Sequence, residues 1–135
     1  MTRAQTIEPV VETTPYEMIG GEPALRRIVN RFYDIMDRDP GAATIRAMHA
    51  SDLGPMRERL FEFLSGWLGG PPLYFQRPGH KCIGSAHRPY AIGEKERDEW
   101  LMCMRRAMAD CGAPRDVRDL LDQPFRIIAD AFRNR

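Results

Sequence analysis

The residues of this chain best suited to chemistry are one histidine, one tyrosine and one tryptophan. His87 lies in Ser85-Ala86-His87-Arg88-Pro89-Tyr90, a short stretch between two amphipathic segments. Gly84 and Pro89 flank it, so the backbone kinks there instead of running on as a long helix. A neutral imidazole projected from such a kink meets the needs of an axial iron ligand, because no helix fills the space beyond the ring. Its other ring nitrogen is expected to donate to a backbone carbonyl in the preceding turn, that of Ile83 or of Gly84, which would fix the tautomer. Trp100 follows thirteen residues later and carries an indole N–H that can only donate. Upstream, Phe32-Tyr33 places a phenol hydroxyl on another amphipathic segment.

The elements that must position these groups are helical almost throughout. Pro15 opens a short helix that Gly20-Gly21 ends. Pro23 starts a longer one, whose Leu25, Ile28, Val29, Phe32, Tyr33 and Met36 recur at helical spacing. Asp39-Pro40 closes it and begins a short turn or helix through Met48. Asp52 reads as an N-cap for a helix of about sixteen residues whose apolar face holds Leu53, Met56, Leu60, Phe63, Leu64 and Trp67. Gly69-Gly70-Pro71-Pro72 stops that helix, and with no helix N-terminus after it the motif has no anion to cradle. Leu73 to Gly93 is a long connection with only a stub of helix before His87; connections of this length in a small domain are usually functional. Glu94 to Asp110 is a strong helix, Gly112 ends it, and Pro114 begins the last one. Pro124 is expected to kink or split that last helix near Leu120 to Asp122.

At 135 residues the chain suits one domain, residues 15–135, behind a flexible tail at 1–14. A net charge of +1 gives no overall field favouring nucleic acid or membrane. No run approaches the roughly 18 apolar residues of a membrane span, and the first fourteen residues lack the apolar stretch of a signal peptide, so a cytoplasmic location is expected. Cys82, Cys103 and Cys111 form no Cys-x-x-Cys and read as reduced, partly buried helical thiols. His80-x-Cys82 with His87 could in principle hold zinc, although the spacing matches no common zinc pattern.

The Gly-Gly-Pro-Pro-Leu-Tyr motif, His87 in its kinked segment, Trp100 and Phe32-Tyr33 together resemble the group II truncated haemoglobins, from about Tyr16 onward and most specifically between Leu53 and Met104. The resemblance implies an all-α, two-over-two helical sandwich holding haem b. It implies His87 as the proximal iron ligand, and Tyr33 and Trp100 as donors to a gas ligand that carries partial negative charge. Hydrogen bonds of that kind are worth roughly 1.5–3 kcal/mol each. His49 falls where relatives carry an aromatic or a histidine; it could donate to the ligand or to the Tyr33 oxygen, or ligate iron itself. Met56, Leu60 and Phe63 are expected to line the distal side, with Tyr74 and Tyr90 as further haem contacts. Relatives often carry basic residues just before the proximal histidine; here Gly84-Ser85-Ala86 stands there, and Arg77, His80, Lys81 and Arg88 are the substitutes for pairing with the haem carboxylates. The expected partners are O2, NO and CO, with an electron-donating reductase if the site turns over nitric oxide or peroxide, in a monomer or homodimer. The competing expectation is a helical interaction or regulatory module with weak or lost haem binding.

Overall fold

Eight α-helices and one 3-10 turn make up the ordered elements of residues 13–135, the part of the chain described by this computed structural model. No strand occurs among the described residues. Of the expected tail, residues 1–12 lie outside the described part. Thr14 belongs to the fold, since its hydroxyl accepts from the Glu17 N–H at 3.2 Å and caps α1 (Pro15–Met18).

Gly20, at a φ of 112°, turns the chain into α2 (Gly21–Arg38). That helix starts two residues before the expected Pro23. The proline sits in the first turn, where a missing N–H forfeits no helical bond. Leu25, Ile28, Val29, Phe32 and Met36 form its buried face. The Asp39 carboxylate accepts from the Gly41 N–H at 2.7 Å and opens the 3-10 turn Pro40–Ala42, which leads into α3 (Ala43–Ala47).

Helix α4 (Gly54–Trp67) has Leu53 at its N-cap position. Asp52, one residue earlier, still does a cap's work by accepting from the Gly54 N–H at 2.9 Å. The helix carries two apolar walls. Phe61, Leu64 and Leu68, just past its end, are buried in the core, whereas Leu60 and Phe63 are only partly buried and Met56 is exposed. At its exit Gly69 takes a φ of 93°, and a Cβ on Gly70 would lie 2.6 Å from the Tyr16 ring. These glycines serve the expected sharp exit and, beyond it, the close approach of α1, although a four-residue helix, Leu73–Gln76, does begin directly after the motif, where none was expected. The Ser65 hydroxyl donates to the Pro71 carbonyl at 2.7 Å and holds the proline pair against α4.

The long connection holds two stubs, α5 (Leu73–Gln76), which periodicity had not indicated, and α6 (Ile83–His87). Helices α7 (Glu94–Asp110) and α8 (Arg115–Ala131) follow. Pro124 does not split α8 as expected. Its missing N–H frees the carbonyl of Leu120, a residue 54% exposed, so water can take up that acceptor. Helix α2 packs on both α4 and α7, and α7 packs on α8. Two helix pairs, α2 with α4 and α7 with α8, meet through α2 and α7 in the expected two-over-two, all-α arrangement.

Candidate functional site

Between these pairs and the long connection lies a cavity of about 630 Å³, within the range of roughly 300–1,000 Å³ typical of small-molecule and cofactor sites. Apolar side chains dominate it: Met56, Leu60 and Phe63 from the second wall of α4, Phe32 and Met36 from α2, and Ile128 from α8. The partial exposure of the α4 residues is exposure to this space.

His87 closes α6 and lines the cavity. Its Nδ1 lies 2.7 Å from the Ile83 carbonyl, the first of the two acceptors expected from sequence. A carbonyl only accepts, so Nδ1 carries the proton and Nε2 keeps its lone pair for a metal. The Phe132 ring stacks on the imidazole with centroids 4.2 Å apart and planes 11° from parallel.

Tyr33 and Trp100 line the same cavity and both lie close to Phe32, whose ring centroid is 4.9 Å from the tyrosine and 5.5 Å from the indole. Neither the Tyr33 hydroxyl nor the Trp100 N–H is bonded to another described residue. Burial pushes the Tyr33 phenol far above its ordinary value, against a smaller opposing pull from Arg57, so it keeps its proton across neutral and alkaline pH.

His49 also faces the cavity, its ring centroid 6.0 Å from that of Tyr33. It repeats the geometry of His87: Nδ1 lies 2.7 Å from the carbonyl of Ile45, four residues back. Neutral His49 therefore offers a lone pair at Nε2. Of the roles expected for it, ligating iron fits this tautomer, whereas donating to the ligand or to the Tyr33 oxygen requires the imidazolium. The carbonyl that fixes His49 is itself placed by Glu99, a buried carboxylate on α7 that accepts from the N–H groups of Thr44 and Ile45 at 3.0 and 3.2 Å. One α7 residue thus caps α3 from across the fold, and the next is Trp100.

Among the residues expected to pair with carboxylates, Arg77, His80 and Lys81 line the cavity, and Arg88 is exposed next to the lining residue His87. Position 88 is the C-cap of α6, directly after the last helical residue. Arg77 holds Glu62 with two hydrogen bonds of 2.7 Å, an arrangement that holds the Glu62 carboxyl below its ordinary range. Its guanidinium is largely committed. Lys81 and Arg59 form no ion pair with any described residue. Arg59 was not anticipated, although it stands three residues after Met56 on the same face of α4, which is the signal that could have found it. Phe132 continues the helical spacing of Phe125 and Ile128, a pattern that marks an apolar face and gives no sign of His87 beside it. Tyr74 is buried at the cavity, and its hydroxyl donates to the Lys81 carbonyl; Tyr90 lies at the rim, 45% exposed.

The cysteines diverge. Cys103 is buried and its thiol is pushed up to about 11 by desolvation, while Cys82 is exposed, outside any helix, and lowered chiefly by the N–H groups of Ser85 and Gly84. No three His, Cys, Asp or Glu side chains gather as a metal cluster among the described residues, so His80, Cys82 and His87 do not assemble a zinc site.

Residues 14–134 match the model of the Bacterial-like globin family. The chain belongs to that family. This globin is 36% identical over 107 residues to the group 2 truncated hemoglobin YjbI of Bacillus subtilis, covering 79% of the chain and 78% of the relative. Its fold superposes on the group II 2-on-2 hemoglobin of Agrobacterium tumefaciens with a TM-score of 0.86 at 38% identity, covering 94% and 98% of the two chains. It superposes on the cold-adapted truncated hemoglobin of Pseudoalteromonas haloplanktis with a TM-score of 0.85 at 40% identity, covering 91% and 99%. The globin is a group II truncated haemoglobin, and the family's activity is haem-based gas binding. The residues present fit that cofactor: an apolar cavity of suitable volume, the His87 imidazole with its Nε2 free, and, at Arg59 and Lys81, two cations with no ion-pair partner among the described residues for the carboxylates.

Proposed function

We propose that this globin holds haem b through His87 Nε2 and binds O2, NO and CO beside Tyr33, Trp100 and His49. When bound, the haem would supply an iron able to take up a diatomic gas. The observation that carries the reading is the pairing, in one apolar cavity, of an imidazole whose Nδ1 is already committed with two donors that have no partner among the described residues. A phenol O–H and an indole N–H fixed in a low-dielectric space hold a partly negative ligand more strongly than in water. Arg59 and Lys81 neutralise the cofactor's carboxylates at the rim. The neutral His49 ring accepts from any donor that enters. Such a tight hold suits scavenging, sensing or redox turnover of nitric oxide or peroxide better than delivery, with a reductase returning the electrons and the protein working in the cytoplasm.

The rival interaction module finds no support in the cavity. A domain without a cofactor would do better to fill such a space, since unfilled apolar volume is destabilising.

The test is an absorption spectrum of the purified protein, oxidised, dithionite-reduced and with carbon monoxide, beside His87→Ala. A Soret band that shifts on reduction and on CO, and is lost or altered in the variant, is the expected result. No Soret band after adding haemin would overturn the reading. Nitric oxide consumption by the reduced, oxygenated protein, measured with an electrode, separates turnover from simple binding.

A further inference from the structure

We infer that Phe132 and Asn134, in the residues following α8, are positioning residues for His87 and set how firmly the cavity keeps its haem. The inference rests on the haem reading above. Between residues 75 and 98 no side chain is buried, so the segment that carries His87 has no core contact of its own to hold it. Helix α6 is five residues long, lacks a side-chain N-cap, and forms no packed pair with another helix. Tertiary hydrogen bonds must therefore fix it.

One tether precedes α6, the Tyr74 hydroxyl on the Lys81 carbonyl. The other follows it. The Asn134 amide donates to the Tyr90 carbonyl at 2.7 Å and accepts from the Ile92 N–H at 2.9 Å. Its backbone N–H donates to the Ile92 carbonyl at 2.8 Å, and the Arg135 N–H adds a bond of 3.1 Å to the same oxygen. The partners leave no choice of amide orientation, because one can only accept and the other only donate. The stretch 90–92 is thus clasped to the chain two residues beyond Phe132, and Phe132 stacks on His87.

The geometry assigns each contact a separate constraint. The bond from Nδ1 to Ile83 leaves the imidazole free to rock about that axis, and the parallel Phe132 ring removes the rocking. Asn134 does not line the cavity, so any effect it has on the cofactor travels through the clasped loop.

The experiment uses the haem-loaded full chain and the variants Phe132→Leu, Phe132→Tyr and Asn134→Ala. Haemin transfer to excess apomyoglobin gives the loss rate, resonance Raman of the ferrous protein gives the iron–histidine stretch, and thermal melting of the cofactor-free chains reports the fold. Phe132→Leu and Asn134→Ala are expected to lose haemin about tenfold faster, in keeping with the loss of one or two hydrogen bonds or a ring contact. Phe132→Leu should also shift or broaden the stretch, and Phe132→Tyr should restore both signals. Wild-type loss rates with an unchanged stretch in both disrupting variants would overturn the clasp and leave the haem reading intact. A wild-type chain that takes up no haemin would overturn the haem reading itself.

Discussion

Two of the three cavity histidines, His49 and His87, are held in one manner, each Nδ1–H spent on the carbonyl four residues back, so both turn a bare Nε2 towards the same space. Neutral imidazole is then an acceptor or a ligand, and on the proposed reading Tyr33 and Trp100 are left as the donors to a bound gas. Replacing either with phenylalanine removes one charge-assisted bond of roughly 1.5–3 kcal/mol, and O2 dissociation followed by stopped flow should speed up about ten- to a hundredfold per site. Unchanged rates in both variants would show that the donors do not reach the ligand. The thiols give a second residue-scale expectation. Cys82 is exposed and its thiol lowered, Cys103 is buried with its thiol pushed up to about 11, and Cys111 is raised by partial burial. A disulfide reagent at neutral pH should show one fast phase, which Cys82→Ser abolishes, and Cys103 should react only on unfolding.

At the scale of elements, Glu99 ties α7 to the N-terminus of α3, and Ile45 passes that placement on to His49. Glu99→Ala strands two backbone donors and should cost about 1–3 kcal/mol in denaturant unfolding, while Glu99→Gln, which keeps an acceptor oxygen, should cost less. Equal losses would mean that the charge and not the cap matters. This link was invisible in the sequence, because a glutamate within an amphipathic helix reads as a solvated residue until its partners arrive from fifty positions away. His87 in its stub, Tyr33, Trp100, and helix α7 from Glu94 to Asp110 were legible because each is announced locally, by kinks, by spacing or by breaker residues. What escaped depends on direction around a helix or on distant pairing. Arg59 lies on the apolar side of α4, and Arg77 is claimed by Glu62. Pro124 lies in an unbroken helix because the face it interrupts is wet.

For the molecule as a whole, four paired carboxylates set the acid limit. Arg77 lowers Glu62, Arg105 lowers Asp122, Arg97 and Arg133 lower Asp130, and the Gly41 N–H with Arg106 lowers Asp39. A carboxyl depressed in the folded state lends stability that is fully present above its unfolded value, about 4, and vanishes as pH falls through the folded value. The melting temperature should hold from pH 7 to 5 and drop below 4. Glu62→Gln should flatten that drop most, because Glu62 is the buried carboxylate of the four and exposed pairs contribute little. The second apolar wall of α4 carries a different consequence. Met56, Leu60 and Phe63 are well placed against a porphyrin and badly placed against water, so a chain newly made without its cofactor displays an oily cleft. Porphyrin supply should therefore govern how much soluble protein a cell accumulates, and a host starved of iron should deliver this globin to its chaperones and inclusion bodies.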